Sequence, residues 1–131
     1  MSIPKAVAML GLGRANLRLI PVDDEHADRG AGAGTAIAAI VRLADEAIAL
    51  CRLGVARSPS GAIDPLAELA DVARRATSLW FHVDGAYGAA RRARAAPEKF
   101  VGMSRADSIS LDAHKWLYQP LDCSVAPLPR R

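Results

Sequence analysis

Apolar positions along the chain repeat with helical spacing in some stretches and strand spacing in others. From Pro4 to Leu10 the pattern predicts a short helix, ended by Gly11 and Gly13. Leu17 to Val22 reads as a strand, and Arg29 to Gly34 as a loop of glycine and alanine. Ile37, Ile40, Val41, Ala44 and Ile48 then fall on one helical face. The next helix is better specified. Asp64 is suited to cap it, and Pro65 fits the first helical position, where a missing N–H costs nothing. Leu66, Leu69, Ala70, Ala73 and Ala76 form its buried stripe. Arg74 and Arg75 sit near its C-terminal end, where the helix dipole favours positive charge.

Strand signals dominate the remainder. Leu79 to Val83 is apolar on both faces, as in a parallel sheet covered by helices, and Gly85 ends it. Ser108 to Leu111 is a second strand with Ile109 and Leu111 on one face. Cys123 to Ala126 is a short third, stopped by Pro127 and Pro129. Helices alternating with strands predict an α/β layered fold. Ligands in such sheets bind beyond the carboxyl ends of the strands. Asp84 and Lys115 both lie at such ends, 31 positions apart, which leaves room for a parallel crossover.

Composition narrows the class. A chain of 131 residues can build one domain with a modest core. Its 17 basic and 14 acidic residues leave a net charge of only +3. Arg74-Arg75, Arg91-Arg92, Arg94 and Arg130-Arg131 therefore read as solvated faces and helix-end charges, and no nucleic-acid motif accompanies them. Cys51 and Cys123 are far apart and lack zinc spacing; a single disulfide is one reading, and a reduced cytoplasmic chain without a metal site is the one expected. The N-terminus shows no signal pattern. The most apolar stretch, Thr35 to Leu50, is interrupted by Arg42, Asp45 and Glu46 and is too short and too charged to span a bilayer.

The chemistry is concentrated in two stretches. One is Leu79-Trp80-Phe81-His82-Val83-Asp84-Gly85-Ala86-Tyr87-Gly88; the other runs Ala106-Asp107-Ser108 through Asp112-Ala113-His114-Lys115-Trp116, with Asp122-Cys123 beyond. In order and spacing these resemble the group II pyridoxal phosphate (PLP)-dependent amino-acid decarboxylases, of the aromatic-amino-acid and glutamate type. The likeness extends upstream to Gly61-Ala62-Ile63-Asp64-Pro65, to Val22-Asp23-Asp24 and to the opening Ile3-Pro4-Lys5-Ala6. Such enzymes need a lysine amine to bond to the cofactor aldehyde and a carboxylate to pair with the pyridine nitrogen.

The resemblance implies a role for each residue. Lys115 is the cofactor lysine, and Asp84 the partner of the ring nitrogen. Ala86 is the small residue on one face of the ring. His114, beside the lysine, is expected near the phosphate and is a candidate to act on the bound substrate. Asp112 and Ser108 match positions near the pocket, with Asp112 the weaker assignment, because an acid near a phosphate must be hydrogen-bonded. Ser58 is the candidate hydroxyl preceding the Gly61 motif. His82 shares a strand face with Asp84 and could orient it, though a hydrogen-bonded core histidine is the plainer reading. Trp80, Tyr87 and Trp116 read as packing residues, and Cys123 as buried.

The resemblance also implies a fold-type-I large domain, present in part: a mainly parallel sheet flanked by helices over residues 1–131, without the small C-terminal domain. It implies an amino-acid substrate, a carboxy-lyase reaction, and a homodimer among intact relatives. Residues 25–59 depart from the family pattern, and Arg57 and Pro59 are poor strand-core residues. A compensated frameshift is one explanation, tested by translating the gene in its other frames. The ring-stacking histidine expected just before Ser2 is missing, since only Met1 precedes it. The isolated chain is therefore expected to be impaired in catalysis. The alternative is a non-catalytic remnant, or a piece that needs a complementing chain.

Overall fold

The structure, a computed structural model, describes residues 2–19, 50–53, 63–75, 79–87, 89 and 94–128. Helix α1 spans Ser2–Met9, close to its predicted extent. Gly11 and Gly13 follow it with φ of 72° and 80°, conformations that side chains with a Cβ adopt at a cost. The strand predicted from Leu17 is not formed by Leu17, Arg18 or Leu19, which leave a 3-10 turn at Arg14–Asn16 without pairing to the sheet. Its remainder, and the predicted helical face from Ile37 to Ile48, lie outside the described residues.

Among the described residues the sheet has four strands, in the order β1-β2-β3-β4. They are β1 (Leu50–Leu53), β2 (Phe81–Asp84), β3 (Ser108–Asp112) and β4 (Ser124–Val125). The first three are parallel, and β4 runs antiparallel to β3. The α/β reading with a mainly parallel sheet therefore holds. β1 was not expected: it falls within the stretch that departs from the family pattern, yet Leu53 is in register with Asp84.

Helix α2 (Leu66–Arg75) forms directly after Pro65, whose carbonyl accepts the first helical hydrogen bond from the Leu69 N–H (3.1 Å). Leu66, Leu69, Ala70 and Val72 are buried, and Ala73 packs beside them. Val72 extends the predicted stripe, and Ala76 lies outside the described residues. Arg74 and Arg75 are exposed in the last turn, as the dipole argument requires. The core joins α2 to Leu79, Phe81, Val83, Ala89, Phe100 and Ala106. Phe81 and Val83 are 1% and 0% exposed.

Alternation along β2 corrects the expectation of two apolar faces. Phe81 and Val83 point into the core, while His82 and Asp84 stand half-buried on the other face. Trp80, just before the strand, is exposed. The polar face is the one that carries candidate chemistry.

A clasp sets the β2–β3 register. The Phe81 N–H donates to Asp107 Oδ2 (2.9 Å), and the Asp107 N–H donates to the Phe81 carbonyl (2.8 Å). The crossover between these strands passes through 3-10 turns at Pro97–Phe100 and Met103–Arg105. Gly102, with φ of 97°, lies against the start of α2, and a Cβ there would meet the Ala67 backbone at 2.6 Å. The Arg105 guanidinium closes the turn onto α2 by an ion pair with Asp71, holding that carboxyl below the usual aspartate range.

Candidate active site

Two parallel strands deliver the acid and the lysine to one edge of the sheet. Asp84 is the last residue of β2 and is in register with Ser110 of β3. Beyond Ser110, β3 ends at Asp112, and a single helical turn, α3 (Ala113–Trp116), carries His114 and Lys115. The topology therefore places Asp84 and Lys115 at the carboxyl ends of neighbouring strands, where open α/β sheets bind ligands.

Asp84 is held from two sides. Its Oδ1 accepts the Ala86 N–H (3.0 Å) and the Ser110 hydroxyl (2.9 Å). Among the described residues nothing donates to Oδ2, so one oxygen is fixed and the other is available. Gly85 permits this arrangement, because a Cβ there would meet the Ala89 Cβ at 2.7 Å and the Ser110 carbonyl at 2.9 Å. Ser110 was missed by sequence reasoning. Its signal was the strand alternation from Ser108, but opposing it to Asp84 requires the cross-strand register.

Ser108 and His82 form a separate pair. The Trp80 Nε1–H donates to Ser108 Oγ (2.9 Å), and His82 Nδ1 lies 2.7 Å from the same oxygen. Ser108 is buried, so these bonds satisfy a hydroxyl that would otherwise be costly to enclose. His82 is thus the hydrogen-bonded, half-buried histidine of the plainer reading; Ser110, rather than His82, orients Asp84. Trp80 packs less than expected and instead serves as a donor.

The lysine side is built on the return to β4. The Cys123 carbonyl accepts the N–H groups of Ala113 (2.8 Å) and His114 (3.3 Å). His114 Nδ1 lies 3.2 Å from the Cys123 nitrogen and 3.1 Å from its carbonyl oxygen. In either tautomer Nδ1 is committed to this backbone and Nε2 is the nitrogen left for chemistry. Cys123 is half-buried with a free thiol, and its backbone is what anchors the site. Lys115 Nζ pairs with Asp112 Oδ2 at 2.6 Å, and His114 Nε2 lies 3.9 Å from the same oxygen. Hydrogen bonds from Lys115 and from the Ser124 hydroxyl hold the Asp112 carboxyl below the ordinary aspartate value of 3.8. Asp112, expected to face the cofactor, thus has a partner the sequence did not suggest. Ala86 is half-buried beside Asp84, and Tyr87 is exposed. Ser58 and the side chain of Trp116 lie outside the description. Among the described residues no group of three or more His, Cys, Asp or Glu could hold a metal, and no helix is long and apolar enough to cross a membrane.

An acid at one strand end and a lysine past the next are the two residue types that an aldehyde cofactor with a basic ring nitrogen needs from a protein. The sequence matches the pyridoxal-dependent decarboxylase conserved domain over residues 1–128, and the chain belongs to that family. It is 37% identical to the L-2,4-diaminobutyrate decarboxylase of Rhizobium meliloti (strain 1021), over 99% of this chain and 26% of that protein. Its fold matches a crystal structure of mouse CSAD with a TM-score of 0.79 and 32% identity, over 97% of this chain and 26% of that one. It also matches Oryza sativa TDC with PLP and tryptamine, with a TM-score of 0.74 and 34% identity, over 95% and 26% of the two chains. The chain spans about a quarter of the length of the relatives it matches.

The residues present fit pyridoxal phosphate. Asp84 Oδ2 is available to a ring N–H. Ala86 presents only a methyl group, and the Lys115 side chain is 39% exposed where it pairs with Asp112.

Proposed function

We propose that this chain holds pyridoxal phosphate through Lys115 and contributes to decarboxylation of an amino acid. The observation that carries this reading is the delivery of Asp84 and Lys115 to one sheet edge by adjacent parallel strands. When bound, the cofactor supplies an electron sink for the electron pair left as CO₂ departs.

Each residue then has a task of its own. Lys115 Nζ would hold the cofactor through its aldehyde, a role that needs the amine in its neutral form. Asp84 Oδ2 would take a ring N–H, while the Ser110 hydroxyl and the Ala86 N–H fix that carboxylate through Oδ1. Ala86 leaves room for the ring. His114 presents Nε2, a nitrogen able to give a hydrogen bond to a phosphate oxygen or to move a proton at the substrate. Ser58 is assigned to the cofactor by resemblance alone. Asp112 we place at the rim of the pocket as the partner of Lys115.

The relatives' names include diaminobutyrate, tryptophan and cysteine sulfinic acid decarboxylases, so the substrate is assigned here only as an amino acid. We read residues 1–131 as part of one cofactor-binding unit. We further propose a cytoplasmic protein, since the free Cys123 thiol suits a reducing compartment, and expect homodimers among intact relatives by resemblance.

Adding pyridoxal phosphate to the purified chain should produce the visible absorption band of lysine-bound cofactor, lost in Lys115→Ala. A band that survives that substitution overturns the reading. The departure of residues 25–59 from the family pattern supports a second reading, a remnant or a piece needing a complementing chain. Amine formation separates the two: the second predicts none from the isolated chain, and recovery only when a complement is added.

A further inference from the structure

Resting on that reading of Lys115, we infer that Asp112 is a positioning residue that holds the lysine at the sheet edge and must release it before the amine can bond to an aldehyde. The usual reason for an aspartate just before a helix is to cap it. Asp112 occupies that position before α3, yet its side chain makes no capping hydrogen bond. It turns instead to Lys115 Nζ, three residues on, at 2.6 Å. The contact is asymmetric. Asp112 is only 16% exposed, and it is fixed by its place opposite Ser124 in the β3–β4 ladder and by the Ser124 hydroxyl. Lys115, at 39% exposed, is the member that can move. The acid is thus part of the frame, and the lysine is tethered to it.

The chemical consequence concerns the nitrogen lone pair. An ammonium group donating to a carboxylate has none to offer. For the carbon–nitrogen bond to form, the amine must leave Asp112 and lose a proton to solvent. The aldehyde oxygen then departs as water with the two remaining nitrogen protons. The tether both aims the side chain and slows capture.

The test does not depend on the loaded protein. The chain has three lysines, Lys5, Lys99 and Lys115, so trace acetylation with acetic anhydride followed by peptide mass spectrometry compares their reactivities directly. Asp112→Asn should raise Lys115 labelling relative to exposed Lys5 by roughly two- to fivefold, the range a partly exposed ion pair supports. Asp112→Glu, which keeps the charge, should stay near the wild-type ratio. Should Asp112→Asn fail to fold, the wild type alone suffices. Raising the salt concentration screens the pair and should increase the Lys115 to Lys5 ratio. A ratio unmoved by salt, or by Asp112→Asn in a folded chain, overturns the inference. A cofactor band that persists in Lys115→Ala overturns the underlying reading and leaves the labelling result intact, so the two failures are distinguishable.

Discussion

The two sides of the candidate site are held in different ways. The acid side is continuous with the core: Asp84 ends a strand whose Phe81 and Val83 are sealed against α2, and its carboxylate is tied to β3 by Ser110. The amine side hangs on a single helical turn and on the backbone of Cys123, beside a loop in which Tyr118 is 87% exposed and has a φ of 56°. β4 itself is exposed. The difference teaches that the Asp84 carboxylate is a fixed reference, while the lysine is positioned by a few local bonds.

The contrast can be broken most forcefully from the core. Phe81→Ala should cost about 3–5 kcal/mol in denaturant unfolding, since it empties a fully buried aromatic position. If it costs no more than Val125→Ala on β4, expected within about 0.5 kcal/mol, the two sides are not differently anchored. A smaller effect comes from Ser110→Ala, which removes one donor from the Asp84 carboxylate. Cofactor affinity should weaken by about 1–2 kcal/mol in a spectroscopic titration, with the fold retained.

The smallest effect belongs to Asp112. Its folded-state pKa is depressed by Lys115 and then by Ser124, so the stabilisation it contributes is present above 3.8 and is lost as pH falls through the lower folded value. Because the lysine is partly exposed, screening holds this below about 1 kcal/mol. Unfolding free energies of wild type and Asp112→Asn should therefore differ at neutral pH and converge in acid. A gap that widens in acid reverses the sign of the argument.

Much of the fold was legible because its elements announce themselves locally. α2 follows from the Asp64-Pro65 start and its apolar stripe, and β2 and β3 from short apolar runs closed by turn residues. The same local reasoning placed a strand at Leu17 that Leu17 to Leu19 do not form, and it passed over β1, which pairs in parallel with β2. Asp84 and Lys115 stood out as residue types at strand ends. Ser110 and the Asp112–Lys115 pair did not, because cross-strand registry and side-chain direction are properties of the assembled sheet. The predicted two-sided apolar burial of β2 failed because half-buried His82 and Asp84 alternate with buried Phe81 and Val83.

The Asp107 clasp on Phe81 works as a zero mark for the site. Counting three residues along each strand from that pair arrives at Asp84 and Ser110, about 10 Å away. A slip by one position would swing Ser110 aside and bring a hydrocarbon, Ile109 or Leu111, against the carboxylate. An aspartate three residues back from the candidate site would thereby decide how accurately the chain aims its acid.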